Sequence, residues 1–215
     1  MARAAESPAA AGVSHVYPLG SRLNEQGRLE IGGCDVFEVA AEFGTPAYVY
    51  AEDDIRARAR EFVEAFRRRT DRFEVVYASK AFPCTAAYRL LAEEGLSCDV
   101  ASGGELYLAL RGGFVPERIY FHGNNKSEAE LEYAVEQGVG TIVIDSFHEL
   151  ERLERIAPGQ RVMLRVTPGI KPDTHAYIST GQEDSKFGFG IDAVGEAIDR
   201  IRKLELVGLH AHIGS

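Results

Sequence analysis

Lys80 is one of only five lysines in a chain of 215 residues that carries nineteen arginines, and it closes an otherwise apolar and aromatic run, FEVVYAS. A base-composition bias explains the arginine excess by itself, yet it leaves the lysines as the residues to inspect. A primary amine attacks a carbonyl carbon, whereas a guanidinium does not. Partial burial at a strand end would favour the neutral, attacking form, while a lysine that snorkels to solvent has the same sequence signature. Asp99 and Arg165 each stand three residues before the end of an apolar run, where a charge is costly unless paired. They read either as the polar lining of a pocket or as a structural ion pair. His210 and His212 lie two apart in a β-like run and so face one side, as metal ligands or with one ring lying flat on a planar group. Gly214 and Ser215 follow with the N–H and hydroxyl donors that phosphate prefers. Gly103-Gly104, at a predicted helix start, allows anion binding or close backbone approach, but plain packing uses glycine too.

The elements that must position these residues recur at a fixed interval. Apparent strand ends fall at Lys80, Ser102, Asn124, Ser146 and Pro168, each 22 residues after the last. That interval holds a short strand, a helix of three turns and two loops, so it predicts βα units of near-constant size. The strands are continuous apolar runs, as expected for parallel strands buried on both faces. Ser102-x-x-Glu105, Ser127-x-x-Glu130 and Ser146-x-x-Glu149 place a capping box after three consecutive strands. A helix over Asp192 to Lys203 and a strand over Leu204 to Ile213 make six regular strands after residue 72. An open doubly wound sheet is compatible with such units, but it carries a long crossover where its winding reverses. The even spacing favours an incomplete (β/α)8 TIM-type barrel, about six strands of eight.

Earlier residues follow another pattern. Residues 1–15 read as a disordered leader, residues 19–37 alternate around a Gln-Gly turn as a hairpin, AYVY at 47–50 reads as a strand, and Asp53 to about Arg69 as an amphipathic helix. A boundary near Gly44-Thr45-Pro46 leaves 16–45 as β-rich strands of a separate domain and 46–215 as the truncated barrel. The segment from Pro168 to Gly190 has no period and keeps aromatics at 177, 187 and 189. It reads as an ordered functional loop, or as an insertion that packs a subunit interface.

Charge and cysteine content exclude several classes of partner. The formal net charge is -9 and the isoelectric point about 5.2, so no basic surface collects nucleic acid or anionic lipid. No apolar run reaches the length of a membrane span, and three cysteines without a CxxC spacing fit a reducing cytoplasm rather than a disulfide framework or a zinc ribbon.

Taken in order and spacing, YASKAF (77–82), CDVASGGEL (98–106), HGNNKS (122–127), HAYISTGQEDSKFGFG (175–190) and GLHAHIGS (208–215) resemble the motifs of the diaminopimelate decarboxylase family, which has the alanine-racemase-like barrel. The resemblance runs from about Thr45 to Ser215. It implies pyridoxal 5'-phosphate as cofactor, Lys80 as its Schiff-base lysine, His212 stacked on the pyridine ring and Ser215 on the phosphate, with Asp99 and Arg165 lining the pocket and no metal. It further implies decarboxylation of meso-2,6-diaminopimelate to L-lysine in a cytoplasmic homodimer with shared active sites. The family continues beyond the HIGS motif with two more strands and a β-domain that carry the remaining cofactor and substrate contacts. The 215-residue chain alone is therefore expected to be inactive. Sister decarboxylases of arginine, ornithine or carboxynorspermidine, a non-catalytic homologue that binds a protein partner, and a metal-dependent hydrolase using His210 and His212 remain as alternatives.

Overall fold

The computed structural model describes residues 13–169 and 187–212. Contacts divide the chain into two compact units, Met1–Val75 and Val76–Ser215.

In the first unit the predicted hairpin is present and is extended by a third strand. β1 (Arg22–Leu23), β2 (Leu29–Ile31) and β3 (Cys34–Asp35) form an antiparallel meander in that order. Asn24 makes the first turn by accepting, through Oδ1, from the N–H groups of Gln26 and Arg28, as short polar side chains do when they stand in for backbone. Asp35 closes the third strand and caps α1 (Val36–Phe43) by accepting from Phe37 N at 2.8 Å. α2 (Glu52–Arg67) matches the predicted amphipathic helix, with Glu52, Asp53 and Asp54 in its first turn, where carboxylates complement the helix dipole. Residues 47–50 depart from expectation, since they carry no strand pairing. Alternation predicts a strand only where a neighbour supplies the hydrogen bonds, and here Tyr48 is 93% exposed.

The second unit follows the 22-residue interval. Its parallel strands are β4 (Val76–Ala78), β5 (Ser97–Val100), β6 (Ile119–Phe121), β7 (Thr141–Ile144) and β8 (Arg161–Thr167), with α3 (Thr85–Glu93), α4 (Gly103–Arg111), α5 (Glu128–Glu136) and α6 (Phe147–Ile156) between them. A short β9 (Phe189–Gly190) pairs with the end of β8, and α7 (Val194–Arg200) leads into β10 (Glu205–Ala211). Across the sheet the order is β10-β8-β7-β6-β5-β4. Chain order and sheet order therefore agree without a reversal, which is the order of a barrel and not of a doubly wound sheet. Among the described residues β4 and β10 do not pair, so the architecture is an incomplete (β/α)8 barrel.

The core lies between this sheet and its helices. All four residues of β7 are buried, as are Ile119 and Phe121 of β6. Helices α4, α5 and α6 each contribute an i, i+3 pair to the same layer: Leu106 with Ala109, Leu131 with Ala134, Leu150 with Leu153. Each of these leucines stabilises the fold by about 1.5–3 kcal/mol.

The three predicted capping serines all accept from the N–H of the glutamate three residues on, at 3.2–3.3 Å. Only Ser127 and Glu130 complete the reciprocal box. The other two glutamates reach back to the residue before the cap, Ala101 for Glu105 and Asp145 for Glu149. All three also grip the preceding βα unit: Glu105 accepts from Ser79 Oγ, Glu130 from Gly103 N, and Glu149 pairs with Lys126. The same position on successive helices thus ties neighbouring strand-end loops together. Gly103-Gly104 finds its answer here, because the anion at that helix start is the protein's own Glu130.

Candidate functional site

The strand ends open into a cavity of about 270 Å³ whose lining includes Lys80, Asp99, His122, Arg165, Phe187 and His212. Four of the five site residues named from sequence border it; the fifth, Ser215, lies outside the described residues, as does most of the segment 175–190.

Lys80 sits in the single 3-10 turn Ser79–Ala81 that follows β4. It is exposed rather than half-buried as expected, because β4 is the outer strand of the sheet and no strand covers its far side among the described residues. The turn itself is well held. Ser79 N donates to Asp99 Oδ1 at 2.8 Å, and Ser79 Oγ donates to Glu105 Oε2 at 3.2 Å. Asp99, on β5, is thus the anchor of the lysine's turn. Burial raises its carboxyl above the usual range, while the Ser79 N–H works in the opposite direction.

Asp99 and Arg165 are not each other's partner. Arg165 lies 3.6 Å from Asp145 Oδ1, and its guanidinium stacks over the Phe187 ring at 4.4 Å. The other carboxylate oxygen of Asp145 accepts from Gly188 N at 3.0 Å. One aspartate at the end of β7 therefore fixes both a pocket cation and the returning end of the long loop. At Gly188, with φ +71°, an added Cβ would fall 2.6 Å from Arg165 O, so only glycine fits the approach.

The imidazoles form the remaining wall. His210 and Arg165 are register partners on β10 and β8, which turns both side chains to one face. The His210 ring meets His122 edge-on, with centroids 4.7 Å apart and planes at 73°. Burial pushes His122 down to about 3, helped by His210 and Lys126, and pushes His210 down to about 4, helped by Arg165. His212 is lowered by burial and by the charge of Lys80. All three are neutral at pH 7 and offer flat, uncharged faces and edges. Among the described residues no three His, Cys, Asp or Glu side chains converge to hold a metal.

Sequence reasoning overlooked His122, Asp145, Lys126 and Phe187 as members of this environment. His122 and Lys126 belong to the quoted HGNNKS motif, and Asp145 is a carboxylate closing the apolar TIVI run, the same signal that singled out Asp99 and Arg165. An aromatic retained in an otherwise glycine-rich loop pointed to Phe187.

Comparisons with known proteins bear on the family and the fold. The profile of the family described as "Pyridoxal-dependent decarboxylase, pyridoxal binding domain" matches residues 52–215. The diaminopimelate decarboxylase of Halalkalibacterium halodurans is 51% identical over 205 residues, covering 91% of this chain and 46% of that protein. Among solved structures, diaminopimelate decarboxylase from M. jannaschii in complex with L-lysine superposes with a TM-score of 0.78 at 36% identity, over 89% of this chain and 47% of that one. The Helicobacter pylori enzyme complexed with L-lysine gives 0.76 at 34% identity, over 84% and 47%. The chain spans about half the length of the curated relatives it matches.

Proposed function

The chain belongs to the pyridoxal-dependent decarboxylases, and on that premise we propose that the protein removes one carboxylate of meso-2,6-diaminopimelate to give L-lysine, with pyridoxal 5'-phosphate as cofactor. The observation that carries the reading is the convergence of Lys80, Asp99, Arg165 and His212 on one cavity from four different strand ends. A flat, phosphorylated aldehyde requires an amine at the rim, an aromatic face and a polar lining, and the residues present fit that list. The group supplies, when bound, a sink for the electron pair left behind as carbon dioxide departs.

The chain's own residues then have distinct tasks. Lys80 offers the primary amine that holds the cofactor's carbonyl carbon, and its turn is kept in place by Asp99 and Glu105 through Ser79. His212 would offer a neutral ring as a face for the cofactor. Arg165, kept in orientation by Asp145 and Phe187, puts a fixed positive charge into the cavity for an anionic group. Ser215 is assigned to the phosphate. The cavity is lined wholly from the unit Val76–Ser215; we assign residues 46–75 with it to the cofactor-binding portion and leave 16–45 as a β-rich segment of other origin. Relatives named diaminopimelate decarboxylase and lysine-bound structural neighbours support the substrate. We assign the protein to the cytoplasm, where its free Cys34, Cys84 and Cys98 stay reduced, and to a homodimer with shared sites. Among the described residues no helix is long and apolar enough to cross a membrane.

The test is to follow carbon dioxide and lysine release by the full-length protein from meso-diaminopimelate, with arginine, ornithine and carboxynorspermidine as competitors and the 215-residue chain assayed alongside. Lysine formation by the full-length protein and none by the chain alone is the expected result. Preferential turnover of another amino acid contradicts the substrate assignment, and no turnover of any contradicts the activity.

A further inference from the structure

Lys126 has no part in the chemistry above, yet it is the most enclosed charge in the described structure, with a side chain 0% exposed. It stands in the loop between β6 and α5, four residues after His122. Its ammonium donates to Gly123 O at 2.6 Å and to Val143 O at 2.9 Å, and lies 2.8 Å from Glu149 Oε1. The contacts belong to three different segments: the loop after β6, strand β7 and helix α6. Glu149, itself 3% exposed, is held in turn by Asp145 N. Burial works against both charges, and each is the other's counter-ion. Such a pair is weak support for stability, since apolar residues of similar volume commonly replace it at no loss. It does fix geometry. The carbonyl it grips is that of Gly123, whose backbone, with φ +106°, runs so close to the loop after β5 that an added Cβ would lie 3.0 Å from Ala101 O. His122 and Gly123 both border the cavity.

We infer that Lys126, clamped by Glu149, is a positioning residue of the pocket: it fixes the strip His122–Gly123 as a wall against which His210 packs. The functional consequence, tighter cofactor binding, rests on the reading given above. The placement of His122 is observable without cofactor.

The test compares the full-length protein with its Lys126→Met/Glu149→Leu variant, in which both buried charges are removed together rather than one being stranded. Three quantities are read: the nuclear Overhauser contact between the rings of His122 and His210, the dissociation constant for pyridoxal 5'-phosphate, and the melting temperature. The expected result is a cooperative melt near that of the unaltered protein, a weakened ring contact, and a dissociation constant about tenfold higher, a change worth about 1.4 kcal/mol. A plain structural crosslink would shift the melt and leave the other two untouched, and that outcome overturns the inference. If the unaltered full-length protein takes up no pyridoxal 5'-phosphate while the ring contact responds as stated, the cofactor reading fails and the positioning role stands. If the double variant does not melt cooperatively, Glu149→Gln replaces it, and an unchanged ring contact there overturns the inference.

Discussion

His122→Asn provides a quantitative test of the pocket's electrostatics. In the folded chain the imidazole titrates at about 3, against about 6.5 in an unfolded chain. Between those values the unfolded state binds a proton that the folded state does not, so stability rises with pH across that window. The contribution is fully present above about pH 6.5 and is lost as the pH falls toward the folded value. Integrated from pH 7 to pH 5, the loss is about 2 kcal/mol, with a limiting slope of about 1.4 kcal/mol per pH unit. His210, pushed down to about 4, acts in the same direction, while the raised carboxyls of Asp99, Asp145 and Glu149 act in the opposite one. The difference between two proteins isolates the single imidazole. Urea unfolding at pH 7, 6 and 5, monitored by far-ultraviolet circular dichroism, gives the stability of each. The expected result is that the unaltered chain loses about 2 kcal/mol more than His122→Asn over this range. Parallel curves would mean that His122 is solvated and that the buried wall is wrongly described.

Two further substitutions test the frame that carries the pocket. At Gly140 a Cβ would fall 2.0 Å from Glu117 O, a backbone atom that cannot move aside, so Gly140→Ala is expected to cost about 3 kcal/mol and to lower the melting temperature accordingly. Glu130→Ala removes both the reciprocal cap on α5 and the acceptor for Gly103 N. Its cost, read from urea midpoints, is expected at about 2 kcal/mol, larger than the roughly 1 kcal/mol of the simple cap loss in Ser102→Ala.

The strand period and the capping serines were readable because both are local. A buried parallel strand demands a continuous apolar run, and a helix start demands an oxygen for its free N–H groups. That consistency placed six strands and put Lys80, Asp99, Arg165 and His212 at one end of the sheet. What sequence did not reveal was the choice of partner. Glu105 and Glu149 read as capping residues, but each reaches past its own cap to a neighbouring unit. Arg165 finds Asp145, one residue past the end of the adjacent strand, rather than Asp99, because the register of one strand to the next, not chain distance, decides which charges meet. AYVY failed as a strand for the same reason, since its residues carry the composition of a strand without a neighbour to pair with.

On the reading proposed above, Lys80 presents its amine to a pocket shaped for a flat phosphorylated aldehyde. Incubating the chain with pyridoxal 5'-phosphate, reducing with borohydride and mapping the peptides by mass tests it directly, because only five lysines compete and the side chain of one, Lys126, is 0% exposed. Label is expected on Lys80 at low cofactor concentration, abolished by Lys80→Arg. Label spread over the other lysines, or unchanged in Lys80→Arg, would contradict that reading.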